Sequence, residues 1–543
     1  MVEKYYEGII EQVYGRIGGH ARNMTLARYS NDFSIEDLTI PQRVRDQKDV
    51  FVWSYEFDPS EMSGPYEPFL DLIFAMFEEQ GGQNFDEFLE ENDIYYLHRQ
   101  MLRSYRKGGF CRREEGLILG EIEYEQECMT EGILRMLLSL SEKKPCLIIL
   151  NRIQLAAGTT LTLLDRLLEE EKAKNIGVVL GVNYLIHIPE HVLPVWDRLM
   201  ERLKDESQVF HIGTTDAVRK KQFSADIFKK EESLKKITNL VQLMDFSQAL
   251  YYLDSVDRKI KFENLTLNDD LHFELWAQYC WAAMYSMDLS KALEICEELT
   301  DLRTTFSSDI RMLFYYYLTG NVFMYQGRLF DAVEYAKKSQ KCAEKAGSEK
   351  WVFLSELLEV QARMSGWYNI FFCAQNVDIS DELIEKLIRY NYKNHLAYIY
   401  VYAYDNKPEI VARAYKSEAQ LLYFSKGVAL AKEIGNEELV YSAYQKNIML
   451  ASTNGMYEIS ILYSVRTFES MKNKHSLKAG RIYSGLGYNL GALGKTKEAV
   501  RYFKKAVQIF YDLNRPQDIA EVFYNMSLNC IQMRDYRQAI EYL

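Results

Sequence analysis

The chain has 543 residues, 48% of them hydrophobic, and a formal net charge of −13. One core does not grow to that size, so two or three domains are expected. An acidic surface is unsuited to direct nucleic-acid binding, which depends on cationic groups that release counterions.

No basic-then-apolar segment opens the chain, and no apolar run reaches the length that spans a bilayer. A cytoplasmic protein with no membrane contact is the expectation. The eight cysteines are scattered singly, with no Cys-x-x-Cys pair. Neither a zinc site nor a disulfide framework is signalled.

Up to about residue 213, short apolar runs alternate with longer amphipathic ones. Strands are expected at 9–14, 50–55, 146–150, 177–182 and 209–212. Helices are expected at 21–29, 67–79, 87–106, 124–140, 161–174 and 195–205. Strands separated by helices imply a parallel sheet covered on both faces.

Between the first expected strand and helix lies Gly15-Arg-Ile-Gly18-Gly19-His20-Ala21-Arg22. Further on, the apolar run Cys146-Leu-Ile-Ile-Leu150 ends in Asn151 and Arg152, and a leucine-rich stretch follows. Phe51-Val-Trp-Ser-Tyr55 precedes Gly64-Pro-Tyr-Glu-Pro-Phe, and Gly177-Val-Val-Leu-Gly-Val-Asn183 closes the set. This order of elements resembles the AAA-like STAND ATPases, a signalling branch of the P-loop proteins, over about the first 210 residues. The resemblance implies a nucleotide-binding α/β domain that switches a regulator.

The departures from that pattern concern the chemistry. ATP hydrolysis needs a glycine-rich loop closed by Lys and Ser/Thr, with backbone amides and the Lys around the phosphates and the hydroxyl on magnesium. His20, Ala21 and Arg22 stand where that loop should close. Asn151 and Arg152 stand where the resemblance implies the magnesium-binding and water-activating acids. The expectation is a degenerate P-loop-like domain without ATPase activity or cofactor. Magnesium-free nucleotide binding by Gly15, Gly18, Gly19 and Arg22 is the alternative.

Residues 214–232 read as a linker, with Arg219, Lys220, Lys221, Lys229 and Lys230 on a solvated helix. It is too short for the lid and winged helix that the resemblance implies. His187-Ile-Pro-Glu190-His191 matches an inverted zincin motif literally. Pro189 inside it and the strand just before it make a loop the expected reading, with no metal held. Arg99, Arg103, Arg106, Lys107, Arg112 and Arg113 form a basic cluster, read as a solvated face beside the acidic run 86–93.

From 233 to 543 the chain repeats at steps of about 40 residues. In the clearest copy Gly487, Ala499 and Ala506 are small where two helices would touch, and Leu490 and Phe503 are large between them. Gly494 marks the turn. A second copy runs through Gly320, Phe323, Gly327, Ala332 and Ala336. The turn alanine recurs at Ala249, Ala292, Ala332, Ala499 and Ala539, with Ser460 and Leu421 in its place elsewhere. This resembles the tetratricopeptide repeat, about eight copies of it, with the copy near 366–372 degenerate. Such hairpins bury their faces on one another and form a superhelical solenoid with a groove.

The expected fold is therefore multidomain. An α/β parallel-sheet P-loop-like domain at 1–213 precedes an all-α tetratricopeptide-like solenoid at 233–543. The expected function is a non-catalytic signalling or regulatory module that binds a protein or peptide in its repeat groove. The N-terminal domain would be a pseudo-ATPase platform for docking or oligomerisation. A nucleotide-dependent STAND-type switch is one alternative. The other is the sensory half of a regulator with a DNA-binding or diguanylate cyclase output domain, since the last repeat stops as its second helix begins.

Overall fold

A computed structural model of the chain describes residues 2–19, 23–29, 41, 44, 49–81, 84–111, 113, 115–118, 121–183, 186–204, 209–212, 228, 230–263, 265–303, 309–365, 380–402, 418–453, 455–471, 474–512 and 516–543. Clustered by contact, they fall into two compact units. One comprises the described residues up to 365 together with 380–386, and the other begins at 387.

The first unit opens with α1 (Val2–Arg16), followed by β1 (Met24–Tyr29) and β2 (Phe51–Glu56). Helices α2 (Phe69–Glu79), α3 (Phe85–Glu91), α4 (Tyr96–Gly108) and α5 (Ile122–Lys143) lead to β3 (Cys146–Asn151). Then come α6 (Gly158–Glu169), β4 (Ile176–Asn183), α7 (Leu193–Arg202) and β5 (Val209–Ile212). The five strands form one sheet in the order β2-β3-β4-β1-β5, and every pair is parallel.

The start of the chain corrects the expected order. Residues 9–14 are helical and 24–29 are a strand. Tyr6, Ile9, Ile10 and Val13 recur with helical spacing and pack together on one face of the sheet. In β1 the residues alternate between two cores: Ala27 and Tyr29 face α1, while Met24 and Leu26 join the larger cluster on the other face. Because both faces are covered, both sets are apolar and the period of two is hidden. The helix expected over 87–106 is two helices, α3 and α4, broken where Asp93 takes φ 51°. The other four strands lie where the sequence places them, to within a residue at either end.

On the larger face α2, α5, α6 and α7 bury Leu72, Ile133, Leu137, Leu164 and Leu199 against Ile148, Leu150, Val178 and Leu180. That cluster continues without a break into the first repeat helices, through Ile237, Leu240, Phe246, Leu253 and Trp276.

The repeats are helical hairpins of the tetratricopeptide type. In the first unit they are α8 (Lys230–Gln242) with α9 (Phe246–Phe262), α10 (Asp269–Tyr285) with α11 (Leu289–Arg303), and α12 (Asp309–Tyr325) with α13 (Leu329–Lys345). Helix α14 (Glu349–Ser365) follows, and α15 (Asp381–Arg389) comes after 366–379. In the second unit α16 (Lys393–Tyr402) is followed by α17 (Glu418–Glu433). Three hairpins then succeed one another: α18 (Glu437–Thr453) with α19 (Tyr457–Ser470), α20 (Leu477–Ala492) with α21 (Thr496–Asp512), and α22 (Pro516–Gln532) with α23 (Tyr536–Tyr542).

One turn geometry builds these hairpins. A residue with positive φ ends the first helix: Met244, Met287, Gly327, Gly455, Gly494 and Arg534. The next N–H reaches back five residues to a helix carbonyl, as in Asp245 N to Leu240 O (2.8 Å), Arg328 N to Phe323 O (2.9 Å) and Lys495 N to Leu490 O (2.9 Å). This is the Schellman closure, which satisfies carbonyls that a helix end leaves open. The expected small positions are the helix contacts. A Cβ on Gly487 would meet the Phe503 ring at 2.8 Å. Ala249, Ala292, Ala332, Ser460, Ala499 and Ala539 are all buried. The side chain of Leu421 lies outside the described residues.

Candidate functional site

In an open parallel sheet, ligands bind outside the carboxyl ends of the strands, where neighbouring strands send their connections in opposite directions. Here that point lies between β1, whose chain runs to the β2 edge, and β4, whose chain runs to β5. The strand ends bring Tyr29, Glu56, Asn151 and Asn183 to this edge, with Arg152 just beyond β3.

Most of these polar groups are tied to one another. The Tyr29 hydroxyl donates to Asn151 Oδ1. Asn151 Nδ2 reaches Glu56 Oε1 at 3.5 Å. Arg152 Nη1 lies 3.2 Å from Glu56 Oε1, with both side chains more than four-fifths buried. Arg152 takes φ 56°, and its N–H donates to Asn151 Oδ1 at 3.1 Å. Burial drives the Tyr29 hydroxyl well above its ordinary pKa, and Arg152 opposes that only in part. A Cβ on Gly181 would meet Asn151 Oδ1 and Tyr29, so the network is closely packed. Glu56, the one acid among these strand-end residues, has its charge met by Arg152.

The residues expected to form a phosphate loop sit elsewhere. Gly15 is in the last turn of α1, and Gly18, with φ +83°, and Gly19 close its C-terminal end. Gly18 N donates to Lys174 O at 2.7 Å and Gly19 N to Arg16 O at 3.1 Å. A phosphate cradle uses the N-terminus of a helix, where amides and dipole favour an anion. The described glycines instead lie at a helix C-terminus. Arg22 lies outside the described residues.

Two other sequence motifs come apart. His187 borders a cavity beside β4. His191 bonds Gln248 Oε1 at 2.6 Å and stacks on Tyr251 at 4.4 Å. Among the described residues no cluster of His, Cys, Asp and Glu could hold a metal ion. In the basic cluster Arg99 pairs with Glu90 (2.9 Å) and Arg103 with Asp86, along the acidic run as expected, whereas Arg106 pairs with Glu78 of α2 (3.5 Å), outside it. Arg113 differs. It is buried against Glu125, and His98 lies 3.5 Å from the same carboxylate. Burial alone would raise the Glu125 pKa, but Arg113 and His98 hold it at about 2.

The first repeat is bolted to the α/β part. Asp245 caps its own helix α9 through Gln248 N (3.3 Å). It also accepts from Thr159 N and Oγ1 (both 2.9 Å) at the start of α6. Ser63 N donates to the Tyr252 hydroxyl (2.7 Å), and Asn239 exchanges bonds with Cys111 N (2.8 Å) and Gly109 O (2.9 Å). A cleft of about 540 Å³ opens at this joint, with Glu123, Glu127 and Arg166 in its wall.

Along the first helices of successive hairpins runs an aromatic stripe. Phe273 lies 6.0 Å from Phe314, which lies 5.7 Å from Trp351. In parallel, Trp281 lies 6.4 Å from Tyr317, which is 5.3 Å from Trp351. Trp281, Phe314, Tyr317 and Trp351 are half-buried, whereas Phe273 is buried. The sequence reading missed this stripe, although the spacings of 41 and 37 residues that generate it are in the sequence. It also missed Glu56, because the expected strand stopped one residue short.

No protein-family model and no curated protein sequence matches this chain. Solved structures resemble it. One is a STAND protein with a tetratricopeptide repeat sensor from Pyrococcus horikoshii, at 12% identity and a TM-score of 0.44, covering 96% of this chain and 93% of that one. Another is NprR in complex with its cognate peptide NprX, at 14% identity and a TM-score of 0.36, covering 58% and 88%. A third is the apo form of RapI, at 9% identity and a TM-score of 0.40, covering 65% and 92%.

Proposed function

We propose that this chain is a non-catalytic regulatory module that binds a peptide or an extended protein segment across its repeats. The observation that carries the reading is the half-buried aromatic stripe of Trp281, Phe314, Tyr317 and Trp351. Aromatic rings give a large apolar contact at little conformational cost and anchor binding surfaces. They lie where the first helices of successive hairpins meet, so an extended segment could touch several repeats at once.

The α/β part serves as a pseudo-ATPase platform for docking or oligomerisation. Residues 30–40, which follow β1, contain neither Gly nor Lys. A phosphate loop depends on both. The sole acid of the strand-end network is neutralised by Arg152.

The test is selection of peptides from a random display library on the purified chain, followed by calorimetry. A selected peptide should lose affinity at least tenfold with Trp351→Ala or Trp281→Ala. Selected peptides that bind both variants as tightly as the parent would refute the reading.

A further inference from the structure

A second cavity, of about 480 Å³, lies on the other side of the sheet edge from the Tyr29 network. Arg28, Gln154 and Trp196 line it, with Val182 and Leu193. Its place follows from the sheet. Tyr29 points toward α1, so its neighbour Arg28 points to the opposite face, at the end of β1.

Three features mark it as a binding site. Arg28 is half-buried, yet the one contact its guanidinium makes among the described residues is with Met200 Sδ, at 3.8 Å. A guanidinium drawn away from water without a carboxylate is costly, and an anion offsets that cost. Gln154 is fully buried. Its Nε2 donates to Asn183 O at 2.9 Å, which leaves Oε1 with no donor among the described residues. A buried acceptor of this kind calls for a donor that the fold does not supply. Asn183, which is buried, and His187, which is exposed, also line it; the remaining wall is apolar, and Trp196 gives it an aromatic face.

These features set the ligand's chemistry. Arg28 is the one Lys or Arg among the lining residues, and none of them is Asp or Glu. A single fork matches a single carboxylate; a nucleoside triphosphate brings more negative charge than one Arg can meet. With no carboxylate in the lining, the unfilled acceptor of Gln154 suits a hydroxyl better than an ammonium, whose full charge would stay unmatched. The volume falls within the range of small-molecule sites.

We propose that this cavity binds a small hydroxy carboxylate with an apolar tail. Its carboxylate would lie on Arg28, its hydroxyl on Gln154 Oε1 and its tail against Val182, Leu193 and Trp196. The reading is independent of peptide binding on the repeats.

Calorimetry on the full chain tests it with 2-hydroxyisocaproate as probe. Leucine, 4-methylpentanoate, inorganic phosphate and ATP serve as comparators. The hydroxy acid should bind saturably, and 4-methylpentanoate and leucine should each bind about tenfold more weakly. Arg28→Gln should weaken the hydroxy acid at least tenfold. Arg28→Lys, which keeps the charge and loses the fork, should weaken it about tenfold and provides the test if the Gln variant does not fold. Gln154→Leu should abolish the preference for the hydroxy acid over 4-methylpentanoate.

The proposal falls if none of the carboxylates binds saturably or if the Arg28 variants bind unchanged. It also falls if ATP or phosphate binds in an Arg28-dependent way while the hydroxy acid does not.

Discussion

The carboxyl edge of the sheet and the turns of the repeats both settle polar groups that folding would otherwise strand. They do so over different distances along the chain. At the sheet edge Tyr29 bonds Asn151 across 122 residues, and Asn151 reaches Glu56 across 95. At a repeat turn the partners are five residues apart, as in Lys495 N to Leu490 O. The edge is a non-local network in which each member depends on elements far away in sequence. The turns are local and self-sufficient, and each hairpin adds only nearest-neighbour packing. Loss of one member should therefore spread through the edge but stay confined in the repeats.

The largest expected effect is in the repeats. Phe503 is 1% exposed and fills the space between Gly487 and Ala506. Phe503→Ala should cost about 4 kcal/mol in urea unfolding. Hydrogen exchange should show the damage centred on α20 and α21. A uniform loss of protection across both units would contradict the local picture.

Next in size is the edge. Arg152→Ala leaves Glu56 largely buried without its cation and should cost about 3 kcal/mol. Adding Glu56→Gln should recover a large part of that loss, because the stranded charge is gone. Additive costs in the double variant would mean that the two side chains do not act as a pair.

Asp245 spans both regimes, since it caps α9 locally and α6 at a distance. Asp245→Ala should cost about 2 kcal/mol. Asp245→Asn, which keeps an acceptor oxygen, should cost less. Equal losses would assign the effect to charge rather than to capping.

The smallest effect near neutrality is in pH. Burial lowers the His98 pKa, which Glu125 only partly opposes. The folded chain therefore favours neutral His98. That stability is present above the unfolded His value of 6.5 and is lost as pH falls below it. Glu125, held at about 2, adds stability above its unfolded value of 4.5 that is lost as pH falls from there toward 2. Both groups belong to the first unit. Tryptophan and exchange probes there should weaken on acidification before those in 387–543 do. Simultaneous loss in both units would contradict this assignment.

The same contrast explains what could be read from the sequence. The repeats were legible because their rules are local. A positive-φ turn, an alanine just beyond it and a bulky residue facing a small one recur at fixed offsets. Four of the five strands were legible as apolar runs between helices. The first was not, because β1 is covered on both faces and Met24-Thr-Leu-Ala-Arg-Tyr29 shows no polar alternation. That exchange of helix and strand also put the glycines of 15–19 in the wrong context. Arg28, Gln154 and Trp196 come from three segments that no spacing rule connects. Their meeting depends on the strand order.

The account rests most on the claim that the polar groups at the sheet edge hold the fold together rather than perform chemistry. Magnesium-dependent ATP turnover by the purified chain tests it most directly, with Glu56→Gln measured alongside. The account predicts no turnover above the buffer rate in either protein. Magnesium-dependent hydrolysis by the parent chain that disappears in Glu56→Gln would contradict it.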